Sequence, residues 1–385
     1  MKRPRNPFVR PRRGPKTLAM AGVKIDTTTR RTGRHKGAPT ISDVARLAEC
    51  SPMTVSRVIN GERSVRETTR QAVLRAIDEL NYKPNRAARR LAGTEQARIA
   101  LLYSNPSASY LSELLMGGLE QASLNDVHLV VERCEFEKDD EFAVVRRLAE
   151  GGIEGFLLPS PLCDEQPLLD LLTELGLSAV AIGAGVGPEH HSAVMIDEFQ
   201  AAYDMTEHII RLGHRQIGFI IGNPHQTASA LRLEGFQAAM AAHNLEVPPE
   251  YLAQGLFSYR SGLDAAMRLL SQPDPPSAIF ASNDDMAAAT VAVAHRLNFD
   301  VPVDVSVCGF DDTAIASTIW PELTTIRQPI GEMSRKAIDL LSAELKQKRA
   351  GGKPEPTTVT LGYELIRRQS DAAPTLAKRP IRRKD

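Results

Sequence analysis

Thr54, Ser56 and Arg57 lie in the run Ser51-Pro-Met-Thr-Val-Ser-Arg-Val-Ile-Asn60, where Val55, Val58 and Ile59 recur at the spacing of one buried helix face. Two hydroxyls and a guanidinium on the opposite face are groups that reach base edges and phosphates from within a major groove. A second set of polar residues falls where short apolar runs end. Ser104-Asn-Pro106 follows Ile99–Tyr103, Ser282-Asn-Asp-Asp285 follows Ala278–Ala281, and Gly309-Phe-Asp-Asp312 follows Val305–Cys308. In parallel α/β lobes ligands sit beyond the carboxyl ends of strands, where Asn and Asp side chains exchange hydrogen bonds with hydroxyls. Each of these residues alone also reads as a helix N-cap; their repetition at corresponding positions points to a cleft. Arg232 stands on a helix whose Leu231 and Phe236 turn inward, and it either joins this cleft or pairs with a neighbouring acid at the surface.

Bond-making arrangements are missing. The chain has no G-x-S-x-G, no glycine-rich phosphate loop closed by Lys-Ser/Thr, and no H-E-x-x-H. His190-His191 suggests a metal pair, but adjacent residues face different ways, and a surface loop is the plainer reading. Asp284-Asp285 and Asp311-Asp312 diverge in the same manner, so one outward acid of each pair suffices for a ligand. Cys50, Cys134, Cys163 and Cys308 form no C-x-x-C pair and read as thiols of a reducing cytosol. No cofactor and no metal are expected. No apolar stretch approaches the ~18–20 residues of a bilayer span. The apolar piece Leu18–Val23 behind Arg12-Arg13 is shorter than a signal core of ~7–15 residues. A cytoplasmic protein without membrane contact is therefore expected, with Met20 an alternative to Met1 as its start.

These groups need elements to hold them. The 385 residues, 42% apolar and 24% charged, describe a globular chain of more than one domain. The formal net charge is zero, yet residues 1–93 hold 22 Lys+Arg against 7 Asp+Glu, and residues 94–385 hold 25 against 40. A basic head on an acidic body suggests that the head meets a polyanion. Residues 1–38, with 12 Lys+Arg and one acid, read as a disordered basic extension. Residues 39–84 read as three short helices. Thr40-Ile-Ser-Asp43 approximates a capping box, Ser51-Pro52 starts the second helix with Ser as N-cap, and Ser64-Val-Arg-Glu67 offers a box for the third. Residues 85–97 hold Asn85-Arg-Ala-Ala-Arg-Arg-Leu-Ala92, a helix too short to persist alone, and a linker. From 98 to 370 apolar runs alternate with amphipathic helices, the pattern of parallel sheets covered on both faces, in two lobes. Residues 371–385 read as a disordered basic tail.

The segments Thr40-Ile-Ser-Asp-Val-Ala-Arg-Leu-Ala48, Ser51-x-x-Thr-Val-Ser-Arg-Val-Ile-Asn60 and Leu80-Asn-Tyr-x-Pro-Asn-Arg-x-Ala88, with Leu91 beyond, resemble the head and hinge of lactose-repressor (LacI/GalR) family transcription regulators. The likeness runs over roughly residues 39–370. It implies an all-α helix-turn-helix head on a body of two doubly wound parallel-sheet lobes, like periplasmic sugar-binding proteins. It also implies a homodimer, or a tetramer of dimers, on a near-palindromic double-stranded DNA operator, acting as a repressor under a small-molecule effector. DNA contacts would come from Thr40, Ser51, Met53, Thr54, Ser56, Arg57 and Asn60 in the head, and from Asn85, Arg86, Ala88 and Leu91 in the hinge, Leu91 wedging into the minor groove. The family's two variable base-reading positions fall on Pro52 and Met53, neither of which forms bidentate base contacts. Effector contacts would come from Arg232, Asn283 and Asp311, and from Ser104 and Tyr110 in the first lobe. The effector implied is a carbohydrate, with nucleobase-type ligands a minority. Strands crossing between lobes are expected near Val194–Ile196, Thr325–Gln328 and Thr358–Leu361. The competing classes are a sugar-binding protein and an α/β enzyme, each without a regulatory role on DNA.

Overall fold

A computed structural model describes residues 39–59, 65–80, 82, 96–134 and 140–375. They fall into two compact units, a head and a body. The expected basic extension, the hinge positions Asn85, Arg86, Ala88 and Leu91, and Asn60 lie outside the described residues.

The head is three helices around one small core. α1 (Ile41–Leu47) starts with the capping box anticipated from its sequence: the Asp43 amide donates to Thr40 Oγ1 at 3.4 Å, and the Thr40 amide donates to Asp43 Oδ2 at 3.0 Å. α2 (Pro52–Ile59) opens on proline, and Ser51 Oγ accepts the Thr54 amide at 3.1 Å. α3 (Glu67–Glu79) begins later than a box on Ser64 requires. Its N-cap is Arg66, which makes no side-chain cap bond, and Glu67 instead accepts from Gln71 Nε2 at 2.9 Å one turn on. Val44, Val55, Val58, Val73, Ala76 and Tyr82 close the core.

The body has two parallel sheets. In the first lobe β1 (Ala97–Tyr103) pairs with β2 (Val127–Arg133) and β3 (Gly155–Pro159). The sheet continues through β4 (Ser178–Ile182) and β5 (Ser192–Ile196) to β11 (Thr358–Leu361). Every residue of β3 and β4 is buried, as central strands covered on both faces must be. In the second lobe β6 (Ile217–Ile221) pairs with β7 (Leu252–Gln254) and β8 (Ala278–Ala281). That sheet continues through β9 (Ser306–Asp311) and β10 (Thr324–Arg327) to β12 (Glu364–Ile366), the one antiparallel member.

Three connections join the lobes. β5 runs through Asp197 into α7 (Glu198–Arg211), which packs in the second lobe. β10 runs through Gln328-Pro329 into α12 (Ile330–Arg349), which packs back on β3, β4 and β5. β11 leads straight into β12. The remaining helices cover the sheets: α4 (Ala108–Leu124), α5 (Glu141–Glu150) and α6 (Gln166–Glu174) in the first lobe, and α8 (Thr227–Ala242), α9 (Tyr259–Leu270), α10 (Asp284–Arg296) and α11 (Ala314–Thr318) in the second.

The body does not stop at residue 370. Ser370 Oγ accepts the Thr324 amide at 2.9 Å, Asp371 Oδ2 lies 2.8 Å from His208 Nε2, and His214 Nε2 reaches the Ala372 carbonyl at 2.8 Å. Residues 371 and 372, read from composition as part of the tail, are thus fastened to the second lobe, because half-buried His208 on α7 and buried His214 just after it supply partners that composition does not reveal.

Candidate functional site

On α2 of the head, Val55 and Val58 turn inward, while Met53 is 66% exposed and Arg57 is exposed with it; Thr54 and Ser56 are half-buried between the two faces. The groups read as base or phosphate contacts therefore share the outer side of one helix. Thr40 and Ser51 spend their hydroxyls as caps of α1 and α2, which fixes the angle at which the outer side is presented.

Between its lobes the body holds a narrow cleft, about 390 Å³ when the space open to solvent at its mouth is included. The first lobe lines it with Asn105, Ser107 and Tyr110 at the β1–α4 junction, and with Ser160 and Gly183 after β3 and β4. The second lobe contributes Glu198, Gln226, Arg232, Phe257, Asn283 and Asp311, and Gln328 comes from the β10–α12 connection. Four of the five anticipated effector contacts thus meet: Tyr110, Arg232, Asn283 and Asp311. Ser104 does not line the cleft. β1 ends at Tyr103 and the chain turns through Asn105, whose Oδ1 accepts the Ser107 amide at 2.8 Å, so Asn105 and Ser107 face the cleft instead.

Arg232 is buried and bound on several sides. Its Nε donates to Glu198 Oε2 at 2.7 Å, one terminal nitrogen donates to the Ser282 carbonyl at 2.6 Å, and that nitrogen stands 3.8 Å from Asp311 Oδ1. Its guanidinium lies 3.6 Å from the centroid of the Phe310 ring, a cation–π contact. Asp311 adopts φ +111°, a conformation L-residues rarely take, which costs on the order of 1–3 kcal/mol and is held by the pairing of β9 with β10. Gln328 Nε2 donates to its Oδ1 at 2.6 Å. Burial pushes the Asp311 carboxyl up to about 7, with Arg232 and Gln328 holding it down and Glu198 and Asp285 pushing it further up. Burial also raises Tyr110, helped by the negative charges of Asp311 and Glu198.

Asn283 is both cap and lining. Its Oδ1 accepts the Met286 amide and its Nδ2 donates to the Phe257 carbonyl, each at 3.0 Å, so it starts α10 and props the loop that carries Phe257. The paired acids diverge. Asp284 points inward, accepting the Thr313 amide at 2.8 Å and the Thr325 hydroxyl at 2.7 Å; a Cβ on Gly309 would come within 2.3 Å of its Oδ1, so this approach needs a glycine there. Asp285 points to the other lobe. Asp311 faces the cleft, and Asp312 turns away to Arg327 at 2.7 Å and Arg368 at 2.6 Å.

Hydrogen bonds cross the cleft on both flanks. On one, Ser107 Oγ donates to Asp285 Oδ2 at 2.5 Å. On the other, Thr227 Oγ1 donates to Asp164 Oδ1 at 2.6 Å and accepts the Gly185 amide at 2.8 Å. A Cβ on Gly185 would lie 2.7 Å from Thr227 Oγ1 and 2.8 Å from the Ala228 amide, so the lobes approach to this distance only over glycine. Glu198, Gln226, Phe257 and Gln328 escaped the sequence reading. Glu198 follows Asp197, the N-cap of α7, and the others sit in connections whose direction depends on the packed lobes.

His191 is buried, its Nε2 3.0 Å from both the Leu169 carbonyl and Thr173 Oγ1, and burial lowers its pKa. Among the described residues no group of three or more His, Cys, Asp or Glu is placed to hold a metal. No helix among them is long and apolar enough to cross a membrane.

Comparison with known proteins places this geometry. The model of bacterial regulatory proteins of the lacI family matches residues 40–85, and that of the periplasmic binding protein-like domain matches residues 206–370. The HTH-type transcriptional repressor PurR of Escherichia coli is 34% identical over 337 residues, spanning 86% of this chain and 97% of PurR. Among solved structures, the transcriptional regulator CelR in complex with cellobiose matches at 33% identity and a TM-score of 0.65, over 86% of this chain and 99% of CelR. The lac repressor dimer bound to operator and the anti-inducer ONPF matches at 27% identity and a TM-score of 0.65, over 88% of this chain and all of the other.

Proposed function

The chain belongs to the LacI family of bacterial transcriptional regulators, and from that premise we propose that it represses transcription as a homodimer on a near-palindromic operator, under control of a sugar bound between its lobes. It is a DNA-binding regulator with an effector-binding body, not an enzyme. The observation that carries the proposal is the convergence of Tyr110 from one lobe with Arg232, Asn283 and Asp311 from the other on a cleft spanned by hydrogen bonds at both flanks.

A hydroxyl-rich ligand suits this lining. Asn105, Gln226, Asn283 and Gln328 carry both donors and acceptors, the carboxylates accept from hydroxyls, and Phe257 offers an apolar face. CelR, bound to cellobiose, supports a saccharide in this chain's cleft. The homodimer is supported by α4, whose Met116 and Leu119 are 69% and 51% exposed one helical turn apart, a face that a second copy would cover.

In the proposed mechanism, ligand binding favours one arrangement of the lobes. In a dimer this changes the separation of the two segments 85–92, and with it their ability to share one minor groove. Ligand and operator then alter each other's affinity reciprocally, typically by 1–3 kcal/mol. Thr54, Ser56 and Arg57, with Met53 beside them, meet bases or phosphates in the major groove, Thr40, Ser51 and Asn60 add contacts from the head, and Asn85, Arg86 and Ala88 enter the minor groove with Leu91 as the wedge. The test is a gel-shift of the full chain with fragments of its own genome, with and without cellobiose and related sugars. A specific shift that one sugar strengthens or abolishes is expected; absence of any specific shift rejects the operator reading.

A further inference from the structure

More acid lines the cleft than its base can balance. Among the described lining residues Arg232 is the one guanidinium, against the carboxylates of Glu198 on α7 and Asp311 on β9. Arg232 donates through Nε to Glu198 and through one terminal nitrogen to the Ser282 carbonyl, and its remaining N–H groups can still meet a ligand acceptor, but its single positive charge is already shared with these carboxylates. Each carboxylate uses one oxygen internally, Oε2 of Glu198 for Arg232 and Oδ1 of Asp311 for Gln328, which leaves Oε1 and Oδ2 to the cleft. Further acids surround them: Asp284 beneath Asp311, and Asp285 across from Ser107. Two buried carboxylates against one buried cation leave a negative charge that a low-dielectric site tolerates poorly.

A second, independent observation points to a ligand in the same place. Gln226 is 5% exposed, lines the cleft, and its Nε2 meets no acceptor among the described residues. A buried donor left unsatisfied costs free energy that a ligand oxygen would recover.

We propose that the effector carries a protonated amine held by the open oxygens of Glu198 and Asp311, with an oxygen acceptor for Gln226. This deepens the sugar reading and rests on it: the ligand class is an amino sugar, rather than a neutral or phosphorylated one. Asp311, raised to about 7 by its burial, is partly protonated at neutral pH, and the ammonium replaces that proton, which leaves to solvent. The groups facing Asp311 are Arg232 of α8, Glu198 of α7, Gln328, Asp284 and Asp285 of α10, and Tyr110 of α4.

The test is isothermal titration calorimetry of the full chain at neutral pH with three probes: cellobiose, the β-1,4-linked disaccharide of glucosamine, and 1,4-diaminobutane. The glucosamine disaccharide is expected to bind at least about tenfold more tightly than cellobiose, and Glu198→Gln is expected to erase that advantage. Cellobiose binding as tightly as the amino disaccharide overturns the amine inference and leaves the sugar reading standing. Binding of diaminobutane alone upholds a cationic ligand and removes the sugar. No heat from any probe overturns both. The wild-type comparison stands even if Glu198→Gln impairs folding.

Discussion

Asp311 concentrates the chemistry of the cleft in one side chain. Its carboxyl is pushed up to about 7 in the folded chain, above the ordinary ~3.9 of an unfolded Asp. A group shifted in this direction favours folding while it is protonated in both states. That contribution is present below the unfolded pKa and is lost as pH rises to about 7. Asp311→Asn keeps the shape and removes the titration, so the variant should melt higher than wild type at pH 8 and equally at pH 4, while losing its ligand response. A circular-dichroism melt at both pH values checks the first part, and calorimetry the second; equal melting at pH 8 would show that the carboxylate is fully compensated. The runs that hold Asn283 and Asp311 were legible in sequence because they stand at strand ends, whereas Arg232 read equally as a surface ion pair and only the family resemblance singled out all three. Glu198 and Gln226 were not legible, since each is drawn into the cleft by where β5 and β6 deliver the chain, which is a property of the packed lobes.

At the scale of elements, the head is where local sequence speaks most clearly. Caps at Thr40 and Ser51 and a period of inward valines specify two helices and the side of α2 that remains outside. Arg57→Ala should therefore remove specific operator binding in a gel-shift while leaving ligand affinity unchanged; retention of wild-type operator affinity would assign base reading to another element. The start of α3 was less legible, because Arg66 enters the helix with no side-chain cap and so leaves no signature. In the body Gly185 meets Thr227 and Ala228 of the other lobe with no room for a side chain. Gly185→Ala should push the lobes apart at this point and stretch the Thr227–Asp164 flank. Ligand affinity should then fall about tenfold with the melting temperature nearly unchanged. Unchanged affinity would mean that this flank yields without cost.

For the molecule as a whole, alternating apolar runs sufficed to predict two parallel lobes, but the fastening of Asp371 and Ala372 draws on His208 and His214 and had no local sign. Assembly is likewise a surface property. Met116→Asp places a charge on the exposed face of α4 and should shift the chain toward monomer in sedimentation equilibrium, with operator affinity falling in parallel; an unchanged dimer would move the interface elsewhere. The three connections between lobes also govern how the chain is made. The first lobe reaches β5 at Ile196, yet α12, which covers its sheet, starts only at Ile330, and its edge strand β11 follows at Thr358. At ~5–20 residues per second a ribosome needs on the order of ten seconds to supply them. During that interval the apolar face that will receive Met333, Ala337, Ile338 and Leu341 has no cover. A nascent chain paused between residues 200 and 330 is thus a natural client for a chaperone. Synonymous codons that slow translation there should lower the yield of soluble regulator without altering one amino acid of it.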